Sequence, residues 1–134
     1  MLKTNELARE FELRNGFDIF AKLLETDCVD DHQVAYNVVC SLWVLSFHPF
    51  ALKRFEDYDL NIVERVVKVL DYFNKEKIVR VVLLLLDNLK QASEACHEAL
   101  SDANVLNTVI KLQNRHWVDK DINDLLEKLF EYLD

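Results

Sequence analysis

Residues Ile78–Leu89 read IVRVVLLLLDNL, and the fold turns on how that run is interpreted. Nine of the twelve residues are apolar, and the three polar ones are Arg80, Asp87 and Asn88. On a 3.6-residue period these three share one narrow stripe, which Lys77 and Gln91 extend. The rest of the cylinder is apolar, so a helix here must be covered by neighbours on several sides. The β-branched residues would also suit a buried strand. A strand needs turn punctuation, however, and Gly16 and Pro49 are the only glycine and proline in the chain. A membrane span needs roughly 20 apolar residues, and Arg80 interrupts this run after two. The stretch is expected to be the central helix of an all-α protein.

Composition frames that helix. The chain has 134 residues, one domain's worth. Its 51% apolar content is enough for a core, and 30% charged residues give a soluble surface. The net charge is −8, with the acidic excess in both halves. Phosphate binding needs a clustered positive face, so nucleic acid is not an expected partner, and an anionic lipid surface is disfavoured. Met1-Leu2 is followed by charged and polar residues rather than an apolar run, so no signal peptide and no membrane insertion are expected. Cys28, Cys40 and Cys96 are an odd number at wide spacing. They read as small buried thiols in a reducing compartment.

Outward from the central run, the chain divides into further helices. Glu6–Arg14 reads as a short helix, stopped at Asn15-Gly16, which can take φ > 0. Phe17–Leu24 is a second helix, and acidic Glu25–Asp31 breaks the pattern. His32–Phe47 is a third, longer helix with the polar stripe Gln33, Asn37 and Ser41, ended by His48-Pro49. Phe50–Asp57 is short and is opened by the proline. Leu60–Phe73 follows, and Asn74 is expected to cap the long helix that runs to about Gln91. Ser93–Leu100 is short, Asn104–Leu112 is of medium length, and Asp119 caps a last long helix to Leu133.

A short–medium–long order thus occurs three times. The middle helices superpose at Phe20-Ala21-Lys22, Val66-Val67-Lys68 and Val109-Ile110-Lys111, offset by 46 and 43 residues. That period falls in the armadillo and HEAT range. The expected fold is an all-α, armadillo/HEAT-like, right-handed helical-repeat solenoid in a single domain, 1–134. Its repeats lie roughly at 4–48, 49–91 and 92–134. A pair of three-helix bundles is the alternative arrangement. In the solenoid the long helix of the middle repeat is the most enclosed, which accounts for its apolar surface. The terminal helix 119–133 keeps a charged side through Asp121, Asp124, Glu127, Lys128 and Glu131.

Three blocks in this order, SLWVLSFHP (Ser41–Pro49), NKEKIVRVVLLLLDNL (Asn74–Leu89) and DKDINDLLEKL (Asp119–Leu129), resemble the middle of the H subunit of the vacuolar-type proton-pumping ATPases. The start, EFELRNGFDIFAKLL, is similar to the entry of one of that family's repeats. The resemblance covers most of the chain. It implies armadillo-type repeats of the family's larger N-terminal domain. It implies a non-catalytic regulatory subunit, peripheral on the cytosolic face of vacuolar and endosomal membranes. Such a subunit contacts the helical peripheral stalk, supports coupling of ATP hydrolysis to proton transport, and silences hydrolysis by the released soluble sector. Family members run to several hundred residues. This chain is therefore expected to be a fragment or a reduced form, and functions of the second helical domain are not carried over.

Patterns that carry chemistry are few. With one glycine, neither G-x-x-x-x-G-K nor G-x-G-x-x-G is possible, so neither nucleotide-cradling loop is present. Cys28 and His32 are four apart and Cys96-His97 are adjacent, but these pairs fall in different repeats, and a zinc site needs convergent ligands. Asp30-Asp31 lie in an expected loop as solvated charge. No catalytic residue, metal, cofactor or small-molecule substrate is expected. Recognition of other proteins remains, the expected partners being other components of the pump and above all its stalk. The polar stripes of the long helices are the candidates: Gln33, Asn37 and Ser41 from the first, Lys77, Arg80, Asp87 and Asn88 from the second. Trp43 reads as a packed residue rather than an exposed anchor. A generic armadillo adaptor for cargo or basic peptides is the competing function. Import receptors of that class look like a Trp followed one turn later by Asn, whereas Phe47 follows Trp43 here.

Overall fold

Three asparagines set the period of the structure. In a computed structural model, which describes Glu10 and residues 15–134, Asn15, Asn61 and Asn104 adopt φ of 60°, 48° and 59°. They are the non-glycine residues with positive φ among those described. The left-handed region is costly for most side chains, and asparagine is one of the few that enters it readily. Each one stands immediately before a medium-length helix: α1 (Gly16–Glu25), α5 (Ile62–Tyr72) and α8 (Val105–Gln113). Each asparagine carbonyl accepts the first helical bond, from Ile19, Arg65 and Thr108 at 3.1, 3.2 and 3.3 Å. The spacings, 46 and 43 positions, are those of the sequence repeat. Asn15 takes the positive φ, while Gly16 is already helical.

Between these markers the other elements are α2 (Asp27–Asp30), α3 (His32–Leu45), a 3-10 turn (Pro49–Ala51) and α4 (Leu52–Phe55). They continue with α6 (Glu76–Lys90), α7 (Glu94–Asp102) and α9 (Lys120–Leu133). No strand occurs among the described residues, so the protein is all-α. The expected helix Glu6–Arg14 lies outside the described residues, apart from Glu10.

The long helices stack side by side, with α6 packed between α3 and α9. This covers both flanks of α6 and buries Ile78, Val79, Val81, Val82, Leu83, Leu85, Leu86 and Leu89. Fully burying such a side chain stabilises by about 1.5–3 kcal/mol, which makes this helix the centre of the core. The medium helices α1 and α5 pack on each other, the short α7 contacts α5, α6 and α8, and α8 packs on α9. Phe17 of α1 and Phe55 of α4 meet edge to face at 5.3 Å.

Side-chain caps start several helices. Asp31 accepts from the Gln33 and Val34 amides at 2.9 and 3.3 Å, Ser93 from Cys96 at 3.1 Å, and Asp119 from Asp121 at 2.9 Å. The expected cap at Asn74 is not present. Helix α6 begins one residue later than that reading requires, so Lys75 occupies the cap position, and no side-chain cap bond forms there. Helix α3 ends at Leu45, which leaves Phe47 outside it and 62% exposed. The stretch read only as an acidic break contains the four-residue helix α2. No single described helix is long and apolar enough to cross a membrane.

Candidate functional site

The polar residues of the long helices form a ladder across α3, α6 and α9. Near the start of α6, Lys77 donates to Gln33 Oε1 at 3.3 Å, and its ammonium lies 4.9 Å from the centre of the Tyr36 ring. Gln33 Nε2 in turn donates to Asn37 Oδ1 at 3.2 Å. One turn further along α6, Arg80 pairs with Asp121 of α9 at 3.1 Å, with both side chains about half in water. The 3.6-residue period brings Lys77 and Arg80 to one face of α6, and the stacking sets that face beside Gln33 and Asn37. Gln33, Asn37, Lys77 and Arg80 all keep contact with solvent at this end of the row.

The other three candidates are committed inside the molecule. Ser41 is half-buried and returns its hydroxyl to the Asn37 carbonyl at 3.0 Å. Asn88 donates to Ser46 Oγ at 2.9 Å, tying the C-terminal ends of α6 and α3 together. Asp87 pairs with Lys90 at 2.6 Å, and Lys90 lies over the Tyr132 ring. The seven residues therefore split into a solvent-facing group at the N-terminal ends of the long helices and an occupied group toward the C-terminal ends. Trp43 is half-buried against the core and meets Phe47 edge to face at 5.7 Å.

Two residues not singled out in the sequence join the layers. Glu76 accepts from the backbone amides of Val118 and Asp119 at 2.9 and 3.0 Å, so α6 caps the start of α9 from 42 and 43 residues away. Arg65 of α5 donates to the carbonyls of Leu60 and Ala21 and pairs with Glu25, joining α5 to α1. No local pattern marks either role, because the partners are distant in the chain.

The thiols are poor nucleophiles. Burial, reinforced by the charges of Asp27 and Asp31, pushes Cys28 up to about 11. Burial also raises Cys40 and Cys96, opposed at Cys40 by Tyr36 and Lys77, and at Cys96 by Ser93. At neutral pH all three are held as thiols, and the thiolate is the reactive form. Among the described residues no group of three or more His, Cys, Asp and Glu side chains is placed to hold a metal ion.

Helices layered on a common period, with a polar ladder along the row of long ones, define an all-α protein of the helical-repeat class. The family model for the H subunit of the V-ATPase matches residues 1–133. The V-type proton ATPase H subunit of Drosophila melanogaster is 27% identical over 139 aligned residues, covering 99% of this chain and 29% of that protein. A probable V-type proton ATPase H subunit of Oryza sativa subsp. japonica is 32% identical over 99 residues, covering 72% of the chain and 21% of that protein. The chain belongs to the family of V-ATPase H subunits and spans under a third of the length of these relatives.

Proposed function

We propose that this chain is a non-catalytic, regulatory part of a vacuolar-type proton-transporting ATPase. Its role is to bind the helical components of the peripheral stalk and so support the coupling of ATP hydrolysis to proton movement. It would lie on the cytosolic face of vacuolar or endosomal membranes through the assembled pump. The observation that carries the reading is the family match over residues 1–133. The architecture we propose is one armadillo-like domain of about three repeats, and the left-handed asparagines at successive repeat positions support it.

The binding face we propose is the row of long helices, through Gln33, Asn37, Lys77 and Arg80 at one end, with Ser41, Asp87 and Asn88 shaping the other. A partner helix laid across such a row gains from apolar anchors guided by polar neighbours. Here Tyr36, Val44 and Leu84 are half-buried between the polar ends. The chemistry suits a scaffold, since its thiols are held protonated and the ion pairs Asp18–Arg54, Glu25–Arg65 and Arg80–Asp121 join one helix to another.

The test is Arg80→Glu with capture of stalk proteins from a lysate of cells that assemble the pump. Capture should weaken by about tenfold, roughly 1.4 kcal/mol, while circular dichroism stays unchanged. An exposed ion pair such as Arg80–Asp121 contributes only about 0–1 kcal/mol to stability, so unfolding is not expected. If the variant loses helix, or capture is undiminished, the assignment of this face is wrong.

A further inference from the structure

A second surface lies away from the long helices, where the loop after α4 meets α7. It is a small, mainly apolar groove of about 100 Å³. Phe55, Ala95 and Ala99 contribute its apolar lining, and Tyr58, itself 73% exposed, forms one side. Four carboxylates, Glu56, Asp57, Glu98 and Asp102, rim it, and no lysine, arginine or histidine lines it.

The four carboxylates are not equivalent. Glu56 accepts from the Ser93 hydroxyl at 2.6 Å. Asp57 pairs with Arg54 and accepts from the amides of Asp59 and Leu60. Glu98 and Asp102 are exposed and make no ion pair among the described residues. They stand four apart on α7, where like charges share a helix face and repel. With Ala99 between them, Ala95 about one turn before, and Tyr58 also in the lining, they leave a narrow apolar slot with unbalanced negative charge at its mouth.

We infer that this groove receives an arginine side chain from a partner protein. Arginine matches each feature of the slot. Its stem is apolar, its planar head stacks on an aromatic face, and its fork of donors pairs with carboxylates. Charge complementarity selects a cation, and the small Ala95 and Ala99 allow the partner's backbone to come close. The inference does not depend on the stalk-binding reading, because the slot lies on different helices.

The probe is an acetylated, alanine-based helical peptide with one central arginine, titrated into the full 134-residue chain at low salt. Amide resonances of Tyr58, Ala95 and Ala99 are followed by NMR. Saturable shifts are expected at those residues. Replacing the arginine by neutral, nearly isosteric citrulline should weaken binding at least tenfold. So should the double variant Glu98→Gln/Asp102→Asn, with circular dichroism unchanged and the melting temperature equal or higher as repulsion is removed. No shift up to about 5 mM peptide, an affinity too weak to matter, would overturn the inference. Equal binding of the citrulline peptide, shifts confined to the α3–α6 face, or shifts that follow self-association of the chain would do the same.

Discussion

Helices α6 and α9 have nearly the same length, 15 and 14 residues, and pack side by side, yet they are made of different material. Val79 and Leu83 of α6 are 1% and 0% exposed, while Asn123 and Glu127 at the matching places of α9 lie in water. The difference is one of neighbours. Helix α6 is packed between α3 and α9, and Val79 and Leu83 are enclosed there, whereas the matching side of α9 faces solvent. Residue identity in a stacked fold therefore reports the layer a helix occupies, and helix propensity is secondary. Both segments are helical, but only one is sheathed.

Exchanging residues between the two helices gives the harshest test. Leu83→Glu puts into α6 the residue that α9 carries. A buried, unpaired carboxylate costs several kcal/mol, on the order of the stability of a whole domain. No cooperative thermal transition should remain. A soluble variant melting near the wild type would mean that α6 is not enclosed.

The backbone at the layer starts should respond without regard to burial. Asn61→Val and Asn104→Val force a β-branched residue into the left-handed region, at about 1–2 kcal/mol each. Urea unfolding should show similar losses for both, although one opens a helix of the central layer and the other a helix of the outer one. The glycine variants should lie within a few tenths of a kcal/mol of the wild type. A much larger loss at position 61 would make the cost depend on the layer.

A smaller effect is expected at the link between the two helices. Glu76→Ala removes the acceptor for Val118 and Asp119 and should cost about 1 kcal/mol, as the loss of a cap does. Those two amides should exchange hydrogen faster, while the middle of α6 keeps its protection. The reverse swap, Glu127→Leu, should be nearly neutral, within about 0.5 kcal/mol by chemical unfolding.

Much of this contrast could be read from the chain. The run at 78–89 announces a covered helix, the spaced charges of 121–131 announce a half-solvated one, and the offsets of 46 and 43 anticipate the asparagine markers. Boundaries were less legible. Asn74 has the chemistry of a cap, yet the helix starts beyond its reach, while Asp31, hidden in an acidic run, is a cap in fact. The site was half legible for a related reason. Periodicity says which way a side chain points but not what it meets. Arg80 and Asp87 share a stripe, yet one reaches across to Asp121 and the other folds back on Lys90. Contacts over forty residues, such as those of Glu76 and Arg65, leave no local trace.

The grip of Glu76 on the two amides just ahead of α9 implies an order of events. Until α6 is seated, the approach to α9 lacks this clasp and its start is held by the Asp119 cap alone, so the seam between the two rods should close with the earlier one leading. Pulled from Asp134, these 134 residues should open in the opposite sense, α9 parting from α6 before α6 itself yields.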